Sequence, residues 1–309
     1  MFDGVLIVLP IVICMITGYV LKRVGMISAE GASQIGKIVF YLASPCVLFR
    51  MTLKVRPENF ADTNYIFAYH AALFASLVVS FAIGSLRGCD AKRKAASCMM
   101  SLRSNCVFMG IPTIIMLWGE EMMPVYGLFM ALSITGMEIF AALFSLVVLH
   151  GGLKRSSVEC AFKSFLRNPV VMSCIVGAAF GLFIGVDLPR CIDLPLKIFA
   201  DLGTGLALLT LGMKIEPERV LSDMLSTWPD ILMRLIITPV IMWSIFKLMG
   251  STPDLAKVAI LVMAMPVATN SLPMAEAMGM DGDYTARATM ATTVMSVFSL
   301  PLIAAVLLR

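Results

Sequence analysis

"NCVFMGIP", residues 105–112, lies inside a long apolar stretch and holds an Asn, a Gly and a Pro. A membrane-spanning helix has reason to avoid all three at mid-depth, where no water is at hand to pair a freed backbone group. The chain on either side decides what such a break is for.

Of the 309 residues, 59% are hydrophobic and 14% charged, and the mean hydropathy is +0.91. Ordinary soluble domains carry about 25% charged residues. A soluble monomer this apolar would expose more apolar surface than it tolerates. Apolar runs of roughly 18 residues or more recur along the chain, so it reads as an all-α polytopic membrane protein. A cleaved signal peptide is not expected. The first run, Gly4 to Leu21, lacks a basic leader and is followed by Lys22-Arg23. Most of the eight cysteines lie inside apolar runs without a C-x-x-C pair and read as small packing residues. With His70 and His150 the only histidines, a histidine-based metal or catalytic site is not expected. The net charge of +4 is scattered along loops, which disfavours nucleic acid as a partner.

Ten spans are expected, near 4–22, 33–53, 63–87, 94–118, 122–149, 169–186, 193–213, 226–248, 255–278 and 284–308. A basic linker, "HGGLKRSSVECAFKSFLRN" (150–168), divides the first five (1–149) from the second five (169–309). The halves repeat each other. "KIVFYLASPCVLFRMTLKVRPE" (37–58) and "KIFADLGTGLALLTLGMKIEPE" (197–218) share seven of 22 positions, among them Lys54/Lys214, Pro57/Pro217 and Glu58/Glu218. Pro112 follows Pro57 by 55 residues, and Pro273 follows Pro217 by 56. Five spans is an odd number, so the second half enters from the opposite side, giving a 5+5 inverted repeat of the kind many secondary transporters use. Most loop cations, such as Lys22, Arg23, Arg87, Lys92, Arg93, Lys154 and Arg155, fall on one side if both termini face outward. Lys54, Arg56, Arg190, Lys197, Lys247, Lys257 and Arg309 fall on the other. The excess of the first set places both termini outside a cell membrane.

The opening stretch now has a mate. Gly110-Ile111-Pro112 interrupts the fourth span, and "MPVATNSLPM" (265–274), with Pro266 and Pro273, interrupts the ninth. A lone proline is often a plain kink; two at matched repeat positions, each near an asparagine, point to a binding site at crossing, broken helices. The expected half-helix starts are near Pro112 and Pro273, where free amides and the positive dipole end suit an anion. Asn105 and Asn270 add amide donors.

These residues resemble the auxin efflux carrier family, bacterial branch, within the bile/arsenite/riboflavin transporter-like superfamily. Asn105-x-x-x-x-Gly110-Ile111-Pro112 looks like its broken fourth span. "GKIVFYLASPCVLF" (36–49), "RNPVV" (167–171) and "FADLGTGLALLTLGMKI" (199–215) resemble its second, sixth and seventh spans. The resemblance covers nearly the whole chain. It implies a scaffold of helices 1, 2, 6 and 7 that forms a homodimer. It also implies a transport core of helices 3–5 and 8–10, and Asn105 as a substrate contact. Pro266 and Pro273 are seven apart, a longer interval than in plant carriers. The bacterial resemblance points to malate- or malonate-like carboxylates; an auxin-like carboxylate belongs to the same class.

Ionisable groups at membrane depth are functional or paired. Arg103, about 14 Å into its span, is either a counter-ion for a substrate carboxylate or the structural partner of Glu138 or Asp201. Glu138 is either a proton-coupling group or the neutraliser of Arg103. Asp201 matches a recurrent Asp of the family's scaffold and is expected to be structural or at an interface. Glu276, one turn past Ser271, either faces the crossover as a cation ligand or faces the exit. Arg50 and Arg234 are expected to be structural, lying nearer their span ends or able to snorkel. The function expected is secondary transport of a small organic anion by an elevator-type mechanism. The alternative is a sodium-coupled symporter of the bile-acid type, using Glu276, Ser271, Asn270 and Thr269. Beyond a coupling proton or sodium ion no cofactor is expected, and an enzyme is not, because no Ser/His, metal or paired-Asp signature surrounds the acids.

Overall fold

The computed structural model describes residues 2–56, 62–152, 154–185 and 188–307. Pro57 and Glu58 of the repeat, Arg309 of the charge comparison, and the last residues of the sixth and tenth expected spans lie outside these. Among the described residues every regular element is a helix. In chain order they are α1 (Phe2–Arg23), α2 (Ala29–Thr52), α3 (Thr63–Leu86), α4 (Ala91–Leu102), α5 (Cys106–Trp118), α6 (Met123–His150), α7 (Arg155–Leu166), α8 (Pro169–Phe183), α9 (Arg190–Met213), α10 (Pro217–Met249), α11 (Pro253–Met263), α12 (Ser271–Ala277) and α13 (Gly282–Leu307). Six, namely α2, α3, α6, α9, α10 and α13, are long and apolar enough to cross a membrane. Their outer faces fit lipid. Phe67, Phe74, Val78 and Phe81 form an exposed stripe on α3, and Phe298, Leu302 and Val306 form one on α13. Water would penalise such stripes, whereas hydrocarbon does not.

The helix ends follow local chemistry. Ser28 and Asp90 cap α2 and α4 by accepting from the Gly31 and Arg93 amides at 3.0 and 2.8 Å. Asn168 caps α8, whose first residue is proline. Gly119 and Gly250, at φ 78° and 72°, terminate α5 and α10.

Three prolines share one local solution. Pro45, Pro112 and Pro239 each follow a five-residue π turn, at Val39–Ala43, Cys106–Gly110 and Met233–Ile237. Proline has no amide to donate, and its ring collides with the carbonyl four residues back. That carbonyl belongs to Tyr41, Phe108 or Leu235, inside the widened turn each time. A wider turn carries the helix past the proline without ending it. Pro10, Pro229 and Pro301 sit in α-helices without such a turn, so the widening is not obligatory.

This moves the interruptions from where the sequence placed them. The fourth stretch leaves helix at Arg103–Asn105, and α5 begins at Cys106, ahead of Gly110, Ile111 and Pro112. The ninth leaves helix after Met263, and α12 begins at Ser271, so Pro266 lies in the break and Pro273 inside the short helix. The eighth stretch starts at Pro217, earlier than expected. The linker 150–168 also contains a helix, α7, with Val158, Phe162 and Leu166 exposed at four-residue spacing.

The chain folds as two compact units, Met1–Asp62, Val107–Ile134 and Asn168–Ile215 forming the first, and Thr63–Cys106, Thr135–Arg167 and Glu216–Arg309 the second. In the first unit α1 and α9 meet backbone to backbone. A Cβ on Gly212 would stand 1.8 Å from the Met15 carbonyl oxygen, and one on Gly18 2.1 Å from that of Leu209. Small residues permit this approach, which replaces the hydrophobic drive that lipid removes. Arg50 and Asp193 close the same unit with a two-armed pair, Nε to Oδ1 at 2.7 Å and Nη2 to Oδ2 at 3.1 Å. In the second unit α10 packs on α3 and α13. Tyr65 stacks between Tyr69 and Phe246, with centroids 5.9 and 5.5 Å away. Ile231 and Leu235 pack on Ala291.

Gly212→Ala is expected to lower the stability of the purified protein by about 1–3 kcal/mol, because backbone must move to admit the methyl. Gly205→Ala, which meets open space, should leave the thermal unfolding midpoint unchanged or slightly higher. Equal midpoints for both variants would contradict the α1–α9 contact.

Candidate functional site

Unwound backbone needs partners when no water is near. In the second unit the two breaks supply them to each other. Ser104 and Val267 form an isolated antiparallel bridge. The Asn105 amide donates to the Pro266 carbonyl at 2.9 Å, and the Ala268 amide donates to the Arg103 carbonyl at 2.9 Å. The Val267 amide is taken by the Thr292 hydroxyl of α13 at 3.2 Å.

The ends of α4 and α11 leave carbonyls without helical partners. Arg234, 1% exposed, gathers them. Its Nη1 donates to the Ser101 carbonyl at 2.7 Å, its Nε to the Met265 carbonyl at 2.8 Å, and its Nη2 to the Val262 carbonyl at 3.3 Å. The Ser104 hydroxyl also donates to the Val262 carbonyl, and Thr238 approaches that of Ser101 at 3.4 Å. Among the described residues no acidic side chain pairs with Arg234. Its charge faces the negative ends of two helices instead. A snorkelling position near a span end is therefore incorrect for Arg234. It lies deep in α10, and its role is to hold both breaks.

Arg103 is the second buried guanidinium, with its side chain 1% exposed. It ends α4, and its side chain reaches three elements. Nη1 pairs with Glu138 Oε2 of α6, Nη2 donates to Asn270 Oδ1 at 2.9 Å, and Nε donates to Ser271 Oγ at 3.2 Å. Arg103 thus ties the fourth stretch to both α6 and the ninth-stretch break. Beside it, Asn105 is buried, and its side-chain amide Nδ2 finds no hydrogen-bond partner in the protein. An unmet buried donor costs about 1–3 kcal/mol, so the position calls for an acceptor.

Arg103, Glu138, Asn270 and Ser271 therefore come together, with Asn105 held in the same pair of breaks by its amide bond to Pro266. The remaining expected site residues are placed otherwise. Gly110, Ile111 and Pro112 belong to α5 in the first unit. Pro266 is buried in the break, while Pro273 is exposed on α12. Asp201 is not the partner of Arg103. It is exposed on α9 of the first unit and bonded to Lys197 at 2.6 Å, where both line a cavity of about 320 Å³ with Arg50 and Lys54. Glu276 is exposed as well, with its side chain beside Gly282. Sequence reading missed Arg234, Ser104 and Thr292 as support for the breaks. The available signal was an arginine well inside the apolar run that precedes Pro239.

A buried cation and an unmet amide at paired helix breaks, inside an apolar helical protein, make a site suited to a small polar solute. A family model described as membrane transport protein matches residues 4–150 and 153–304. The chain belongs to that family, the auxin efflux carriers. It is 22% identical over 305 residues to an "Uncharacterized transporter" of Methanothermobacter thermautotrophicus, covering 97% of each chain. It is 22% identical over 299 residues to a "Putative malonate transporter" of Rhizobium meliloti, covering 94% of this chain and 91% of the relative.

Arg234→Met is expected to lower stability by about 3 kcal/mol or more, since charged hydrogen bonds to three carbonyls are lost together. Arg234→Lys keeps the charge without the fork and should lose roughly half as much. Thermal unfolding in detergent measures both. Losses under about 1 kcal/mol would mean that the carbonyls are satisfied some other way.

Proposed function

We propose that the protein is a secondary transporter moving a small organic anion, a mono- or dicarboxylate such as malonate or malate, across the plasma membrane. The observation that carries the reading is Arg103 at the paired breaks, buried beside the unmet Asn105 amide. A guanidinium suits a carboxylate in charge and geometry. The amide of Asn105 offers a further donor, and Asn270 and Ser271 already orient the guanidinium. The name of the Rhizobium relative supports a carboxylate of this class. In the proposed cycle the second unit, which holds all five clustered residues, carries the anion by elevator-type alternating access. Matched interruptions in the two sequence halves support an inverted repeat, and the excess of loop cations on one side supports both termini outside.

The sodium-coupled alternative draws on Glu276, Ser271, Asn270 and Thr269, of which Ser271 and Asn270 accept from the Arg103 guanidinium. The Glu276 side chain is exposed beside Gly282, so no observation favours that alternative.

Purified protein is expected to melt at higher temperature when malonate or malate is present, because a ligand of the folded state alone stabilises it. Asn105→Ala should fold normally and lose this shift. Arg103→Lys should weaken binding about tenfold, or roughly 1.4 kcal/mol. Unchanged affinity in both variants would remove the crossover as the binding site.

A further inference from the structure

We infer that Glu138 is the site of a coupling proton, holding the guanidinium of Arg103 until a substrate carboxylate replaces it. The inference rests on the anion reading above and adds to it what the anion must bring along.

Two features separate this pair from a purely structural one. The first is its geometry. Arg50 and Asp193 engage through two arms on each side, at 2.7 and 3.1 Å, as a permanent guanidinium–carboxylate pair does. Arg103 gives Glu138 a single arm, Nη1, and spends Nη2 and Nε on the neutral acceptors Asn270 and Ser271. Those two bonds hold the fork in place when the carboxylate on the third arm is exchanged. The second feature is access. The Arg103 side chain is 1% exposed and that of Glu138 is 10% exposed. The carboxylate is thus the more accessible end of the pair, the end at which a proton can be exchanged.

The charges near Glu138 limit the outcome. Arg234 faces the same region, with its guanidinium committed to the Ser101, Val262 and Met265 carbonyls. Tyr69 and Cys106 lie within electrostatic reach of Glu138. His70 packs against Gly136 and Phe140 on the same helix as Glu138. Among the described residues Arg103 is the cation that Glu138 pairs with. A second carboxylate on that arm sets two like charges side by side in an apolar interior, and such a pair retains a proton. The step balances. A proton from water moves to the Glu138 carboxylate, Glu138 releases Nη1, and the substrate carboxylate accepts from Nη1 in its place. Arg103 keeps its charge throughout. The guanidinium faces one negative carboxylate before and after, and one proton enters with each anion.

Calorimetric titration of the purified protein with malonate and with propionate tests this, using pH 7 and 8 and two buffers of different ionisation enthalpy. The wild type should take up about one proton per anion bound, with affinity falling about tenfold for each pH unit above neutrality. Glu138→Gln should take up none and should bind independently of pH, so that at pH 8 it is the tighter binder by about tenfold. Anion binding by the wild type without proton uptake would overturn the coupling and leave the anion reading standing. This measurement needs no variant to fold. Uptake that persists in Glu138→Gln would place the proton elsewhere and overturn the assignment. No binding of either acid by the wild type would remove the anion reading and the coupling with it.

Discussion

The structure depends on one constraint. Two helices stop in the interior of an apolar protein, and every freed backbone group there needs a partner. The chain meets it by laying one break against the other. Arg103 to Asn105 and Pro266 to Ala268 exchange amide–carbonyl bonds on either side of the Ser104–Val267 bridge. This is sheet-like pairing reduced to its smallest form, inside a helical protein. Either break alone would leave its donors and acceptors unmet.

Two buried arginines complete the arrangement, and they differ in what they hold. Arg234 donates to carbonyls from both helix ends. Those acceptors belong to the backbone and cannot leave, so its task is permanent. Arg103 donates to three side chains on α6 and the ninth-stretch break. Side chains can move and one of them can change its charge, so this guanidinium is able to serve a ligand. Equal burial therefore goes with unequal roles, and the acceptors decide which is which. On the proposed account the cluster lies wholly within one compact unit, and a carrier of elevator type requires that.

Much of this was legible in the sequence. Hydrophobic runs gave the helical stretches, because helix length and hydrocarbon thickness are tied together. The sequence singles out Arg103, Glu138, Asn270 and Ser271, whose side chains meet in the structure, and Asn105 beside the break. The exact breaks were not legible. Proline at 112 suggested an end to the helix, yet a π turn absorbed it, and helix geometry of that kind has no simple sequence mark. The structural role of Arg234 is legible but its depth is not, because depth depends on where α10 starts, and the helix begins at Pro217, ahead of the apolar run. The direction of Glu276 stays open in the sequence between crossover and exit, because α12 is only seven residues long and one turn cannot be oriented from periodicity. The helix α7 was hidden in a linker whose composition is basic and mixed.

The central claim is that the two breaks stay paired while the protein works. Ser104 and Val267 face each other between the flanking hydrogen bonds, the antiparallel position in which Cα atoms stand about 4.5 Å apart. That spacing falls within the range a disulfide accepts. In a variant lacking the native cysteines, Ser104→Cys with Val267→Cys should therefore cross-link within one chain under mild oxidation in proteoliposomes. If the crossover travels as one body, malonate exchange should continue after cross-linking. Failure of the pair to cross-link, or exchange that stops on oxidation and returns on reduction, would contradict the account.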